Sequence, residues 1–169
     1  GSEYLPRTPP KTQVPVNISS SAAAGSLSVG MLGNKLVAGY GVNHVSIVLE
    51  DNEEGTYALR VDAPTGHAYA CAAPSSTRAD AELVLTATTP TQSCARFRVQ
   101  VIKDPPGPIA AGNHFALRSA FVGLWVSACS ATHSQGACPL TVTTSNPLED
   151  ARALFTFEAL RADQMVPPH

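Results

Sequence analysis

The chain has 169 residues, enough for one domain with a substantial core, and 44% of them are hydrophobic while only 14% are charged. A formal net charge of −2 supplies no field to gather nucleic acid or an anionic membrane surface, and no apolar run reaches the roughly 18 residues a membrane span requires. The partners to expect are a protein or a carbohydrate, with no nucleic acid, no membrane insertion and a monomeric chain.

Residues 1–11, "GSEYLPRTPPK", are proline-rich and aperiodic and read as a disordered tail, its opening Gly-Ser a cloning scar. Residues 12–161 read as a single domain. Its short runs of Val, Leu, Thr and aromatic residues, broken by Gly, Pro, Asn and Asp, predict an all-β fold. The first four runs are 14–18, 26–31, 35–39 and 45–50, with Gly33 and Asn34 forming a tight hairpin turn. The first contains the sequon Asn17-Ile18-Ser19, a glycosylation candidate. After Asp51, Asn52 and Gly55 come the runs 56–62, 67–71, 82–88 and 96–102. The segment 104–108, "DPPGP", cannot donate to a strand ladder at its prolines and is a connection. The runs 114–119, 124–129, 140–144 and 154–160 follow, and 162–169 form a C-terminal tail.

The second and third groups of four runs repeat one another. Tyr57 and Phe115, Leu59 and Leu117, Arg60 and Arg118, Cys71 and Cys129, and Phe97 and Phe155 are all spaced by 58 residues. A fixed period of this kind marks a repeated structural unit. The first group matches less well: "AGSLSVG" from Ala24 is set against "VGLWVSA" from Val122, and "VSIVLE" from Val45 takes the place of "FTFEAL" from Phe155. Leu59, Leu85, Phe97, Val99, Leu117, Phe155 and Phe157 are the expected inward-facing residues.

Three copies of a four-strand unit make the twelve strands of a β-trefoil of three pseudo-repeats. The third copy resembles the repeats of fascin-like trefoils in Leu117 and Arg118, in Gly123, in Trp125 with Ser127 and Ala128, and in Phe155 and Phe157. A weaker resemblance runs to Kunitz-type trefoil inhibitors. The resemblance implies a fold and no activity. An immunoglobulin-like β-sandwich is the alternative, suggested by "EEGTYALRV" from Glu53. Its expected Cys-Trp-Cys order is missing, because Trp125 follows both Cys71 and Cys94.

Four cysteines allow three pairings. Cys71–Cys94 and Cys129–Cys138 are expected, because each pair falls within one copy of the repeat. With few charges and the sequon, paired cysteines fit a secreted or surface-exposed protein. The grouping Cys129, His133 and Cys138 offers zinc-competent ligands, but a disulfide with His133 at the loop tip is the expected reading. Neither a metal nor a cofactor is expected.

No nucleophile elbow, zinc-protease helix, phosphate loop or dinucleotide fingerprint is present, so no catalytic residue is assigned. The ligand-binding candidates are Arg60 and Arg118 as grips for a carboxylate or sulfate, Trp125 as a stacking surface for a sugar, and His67 and His133 near turns. They point to a non-catalytic module that recognises a protein or glycan partner through loops on a rigid β scaffold. The alternatives are a Kunitz-like protease inhibitor and a structural protein associated with actin or with particles.

Overall fold

A computed structural model describes residues 13–22, 27–64, 66–72, 81–102, 114–128 and 137–158. Burial alternates in the clearest runs, as in Pro15, Val16, Asn17 and Ile18, where Val16 and Ile18 face inward, while runs such as 35–39 and 114–117 are buried on both faces. The period of two is what commits the alternating segments to strands packed on one face. The strands are β1 (Pro15–Ser20), β2 (Leu27–Leu32), β3 (Lys35–Gly39), β4 (Ile47–Asp51), β5 (Tyr57–Ala63), β6 (Gly66–Ala72) and β7 (Ala81–Ala87). They continue as β8 (Phe97–Ile102), β9 (His114–Ser119), β10 (Trp125–Ser127), β11 (Cys138–Pro139), β12 (Thr141–Thr143) and β13 (Phe155–Glu158). Among the described residues there is no α-helix, only three short 3-10 turns.

Six strands close on themselves. β1 pairs with β4, β4 with β5, β5 with β8, β8 with β9, β9 with β13, and β13 with β1, all antiparallel. Closure removes the exposed edges that an open sheet would offer to other chains. It also departs from the two separate sheets that a sandwich requires.

The pairings place equivalent residues at equivalent stations in all three copies. Ile47 faces Val16, Phe97 faces Tyr57, and Phe155 faces Phe115. One layer further on, Leu49 faces Leu59, Val99 faces Leu117, and Phe157 faces Ile18. Phe97, Phe115, Phe155, Ile18, Ile47, Leu49, Leu59 and Leu117 are almost fully buried. Leu85 and Val99 are partly buried against the same core, so the expected inward set holds. The rings of Phe115 and Phe157 meet edge to face at 4.5 Å.

Two expectations need correction. In the first copy Ile47, and not Val45, takes the station of Phe155, so that alignment shifts by two residues. A β-branched aliphatic residue does there what Phe does elsewhere, which hid the equivalence. The late run around residue 140 is also two strands, giving thirteen among the described residues. β11 pairs with β3 and β12 with β7, and the chain changes partner at Leu140. The Leu140 N–H donates to the Leu36 carbonyl, and its own carbonyl accepts from Leu83 N–H. Leu36, Leu83 and Leu140, all buried, are thus linked where the hairpins β2–β3, β6–β7 and β10–β12 meet through the β3–β7, β7–β12 and β11–β3 pairings.

Cys71 on β6 and Cys94, in the 3-10 turn before β8, form a disulfide as expected. It lies in a small buried cluster with Ala58, Tyr69, Ala87 and Ala95. Cys138 is also disulfide-bonded. Its expected partner Cys129 lies outside the described residues, as do both tails, the 104–108 connection and His133.

Candidate functional site

The two arginines of the repeat occupy one station in the fold, yet their surroundings differ. Arg60 on β5 faces Tyr69 on β6, and Arg118 on β9 faces Trp125 on β10. The two arginines are 58 residues apart but their partners only 56, so the β5–β6 turn is two residues longer than its counterpart. The same station in the first copy holds Ser19 facing Ser28, with the Ser19 hydroxyl 3.3 Å from His44 Nε2.

Arg60 is fully engaged. Its Nη1 donates to Glu50 Oε1 at 2.8 Å, its Nε to Asp62 Oδ1 at 2.9 Å, and Nη1 also reaches Gln13 Oε1 at 3.3 Å. The Tyr69 hydroxyl donates to the same Glu50 carboxylate at 3.2 Å. His67 Nδ1 lies 2.6 Å from Asp62 Oδ1, so His67 belongs to this network and does not stand free at a turn. Burial opposes the Arg60 charge, but the hydrogen bonds to Glu50 and Asp62 outweigh it and raise its pKa. Burial likewise acts to raise the Asp62 carboxyl, and the Arg60 hydrogen bond and charge overcome it, leaving its pKa below the ordinary value. With both carboxylates already in place, Arg60 has little left to offer a ligand.

Arg118 is held but not used up. Its guanidinium carbon lies 5.4 Å from the centroid of the Trp125 ring, and its Nε donates to the Gly123 carbonyl at 3.0 Å. Trp125 packs in turn against the buried trio Ile102, Ala116 and Leu154. The indole is therefore committed to the core on one side and to Arg118 on another, which leaves it poorly placed as a sugar platform. The β9–β10 turn that presents the acceptor carbonyl is tight: Gly123 has φ 73°, a left-handed conformation open to glycine. Within it the Gly123 N–H donates to the Ser119 carbonyl at 2.8 Å and the Val122 N–H to the Ser119 hydroxyl.

Register explains why two equivalent arginines behave differently. Glu50 faces Ala58 on the ladder beside Arg60, whereas Gln100 faces Ala116 at the same station beside Arg118. The residue directly across from Arg60 is Val48, and the one across from Arg118 is Arg98. Where the second and third copies meet, a neutral amide thus stands in place of a carboxylate and a second cation in place of an aliphatic residue. Among the described residues neither Arg98 nor Arg118 forms an ion pair; Arg98 Nη1 donates only to the Glu54 carbonyl, at 3.2 Å. Arg96, two residues earlier on the same chain, is neutralised by Glu53 at 3.4 Å. Phe121 projects from the adjacent turn with 44% of its surface exposed.

Arg98 and Phe121 are not conspicuous in the sequence. Arg98 could be found by setting Val99 against Leu117, which places it opposite Arg118. Phe121 lies in one of the stretches that differ between copies. Asn17 is exposed on β1, so the sequon's acceptor faces outward, while Ser19 is buried. Among the described residues no group of His, Cys, Asp and Glu is arranged to hold a metal. With Cys138 in a disulfide, the Cys129, His133 and Cys138 grouping lacks one ligand thiol. No helix among the described residues is long and apolar enough to cross a membrane. Comparison with family models, with curated proteins and with solved structures finds no match to this chain.

Proposed function

We propose that the chain is a β-trefoil of the fascin-like kind and acts as a secreted, monomeric, non-catalytic binding module. The threefold recurrence of core stations, the closed six-strand ring and the three converging hairpins support the trefoil reading. The disulfide supports an oxidising compartment. One observation carries the binding function. Arg118 is fixed on Trp125 with its two terminal nitrogens unused, while Arg60 at the matching station is consumed by carboxylates of its own chain. A pre-positioned arginine loses little freedom on meeting a ligand, so its contacts go into affinity.

Panning immobilised protein against a random peptide library, in parallel with a glycan array, tests this reading. Saturable binders that free protein competes away are expected in the peptide arm. Blanks in both arms at high loading overturn the reading, and inhibition of proteases from a broad panel at micromolar concentration overturns it in favour of the inhibitor alternative.

A further inference from the structure

We infer that the outer face of β8–β9 and the β9–β10 turn, carrying Arg98, Arg118 and Phe121, docks an acidic peptide segment of a partner protein that also bears an apolar side chain. This rests on the reading of the chain as a binding module and names the class of its partner.

The first ground is electrostatic. Arg98 and Arg118 face each other across the ladder, and among the described residues neither forms an ion pair. Like charges placed directly opposite on neighbouring strands are unfavourable. The matching positions where the first and second copies meet show the alternative, Val48 opposite an arginine that Glu50 neutralises. Carbonyl bonds and the indole hold the two side chains, but neither charge is neutralised by a carboxylate in an ion pair among the described residues, and such a locally broken rule marks a place for an external group. The missing group is an anion.

The second ground is geometric. A guanidinium carries five N–H donors. Arg118 spends only its Nε–H, on Gly123, and its guanidinium carbon rests 5.4 Å from the centroid of the indole. Two parallel N–H bonds from a guanidinium fork match the two oxygens of a carboxylate. Arg98 uses Nη1 on the Glu54 carbonyl and keeps Nη2 for the same ligand.

The third ground selects a peptide over an acidic sugar. Phe121 is a large exposed aromatic residue on the turn next to Arg118. Aromatic residues and arginine are the types enriched where proteins meet proteins. A sulfated glycan would be served by further cations, and Arg96, two residues before Arg98, is already paired with Glu53.

Trp125 is the only tryptophan of the chain and lies beside Arg118, so its emission in the folded protein responds to events at this face. The experiment titrates the intact, disulfide-bonded protein with a capped Glu/Leu peptide, its Lys/Leu counterpart, and a heparin oligosaccharide. A saturable change in Trp125 emission is expected with the Glu/Leu peptide alone, weakening as salt is added. Arg118→Ala is expected to weaken binding by about tenfold or more, and Arg118→Lys to leave most of that loss, since lysine lacks the planar fork. Arg98→Ala and Phe121→Ser should each weaken it to a lesser degree. Lys35→Gln, a distant exposed cation, should leave it unchanged. Circular dichroism of each variant separates lost binding from lost folding. Equal response to the Glu/Leu and Lys/Leu peptides, no effect of Arg118→Ala in a folded protein, or binding of heparin alone each overturns the inference. If library panning yields binders that ignore Arg118, the inference fails and the module reading stands; if panning yields none, both fail.

Discussion

At the scale of the residue, context and not identity decides what each arginine does. Arg60 and Glu50 have side chains only 15% and 18% exposed, so removing either leaves a poorly hydrated charge behind. Arg60→Ala is expected to cost about 1–2 kcal/mol by urea denaturation, whereas Lys35→Ala, whose ion pair with Glu82 is much more exposed, should cost under about 0.5 kcal/mol. Arg98→Val, which copies the first repeat, is expected to raise stability by roughly 0.5 kcal/mol by relieving the like-charge pair. A fall in stability would show that the bond to Glu54 outweighs that repulsion. His114 supplies the pH dependence. It is 6% exposed at the start of β9, its Nδ1 has no hydrogen-bond partner, and burial lowers its pKa from the ordinary 6.5. The unfolded chain therefore takes up this proton before the folded one does. The stabilisation is complete above about pH 6.5 and is lost as the pH falls below it. Comparing urea midpoints at pH 7.5 and 5.5, the loss should shrink in His114→Leu; an equal loss in the variant would assign the pH dependence to other groups.

At the scale of the element, short strands need help at their ends. The 3-10 turn before β5 is capped by Asn52, whose side chain accepts from the Glu53 N–H at 2.9 Å and whose amide reaches the Pro90 carbonyl. β6 is fastened to the turn before β8 by the Cys71–Cys94 disulfide across 23 residues. Closing a loop of this length restricts the unfolded chain and is worth about 3 kcal/mol. The double variant Cys71→Ala, Cys94→Ala should accordingly melt roughly 6–12 °C lower in a calorimeter. An unchanged Tm would mean that the surrounding cluster holds the turn without the covalent bond. In β2, a Cβ on Gly30 would collide with the Asn43 carbonyl oxygen and the Val42 side chain. That close approach is why glycine stands in a buried strand position, and Gly30→Ala should destabilise by more than an ordinary surface change.

At the scale of the molecule, the closed ring ties all three copies into one core. Phe97, Phe155 and Ile47 hold the same station, so truncations there remove comparable packing from one structure and not from three separate units. Phe97→Ala and Phe155→Ala are each expected to cost about 3–5 kcal/mol, and Ile47→Ala about 2–5 kcal/mol. All three should unfold in a single transition seen alike by circular dichroism and by Trp125 emission. Separate transitions would show that the copies fold independently.

Much of this architecture is written locally. Alternation of apolar residues sets the strands, the 58-residue echo pairs the last two copies, and the core phenylalanines recur at matching stations because a symmetric ring poses the same packing problem to each. The first copy was harder to align because Ile47 and Leu49 fill the places of aromatic residues, and hydrophobic burial does not depend on ring chemistry. The candidate site was only half legible. Arg118 and Trp125 stand out as repeat residues, but so does Arg60, and only Asp62, two residues after Arg60 where Arg118 has Ala120, hints locally at which one is neutralised. That depends on Glu50, ten residues before Arg60, on Gln100, eighteen before Arg118, and on Arg98. Charges interact through space over a few ångströms, so only the register that brings these strands together decides that one arginine is neutralised and the other is left to meet a partner.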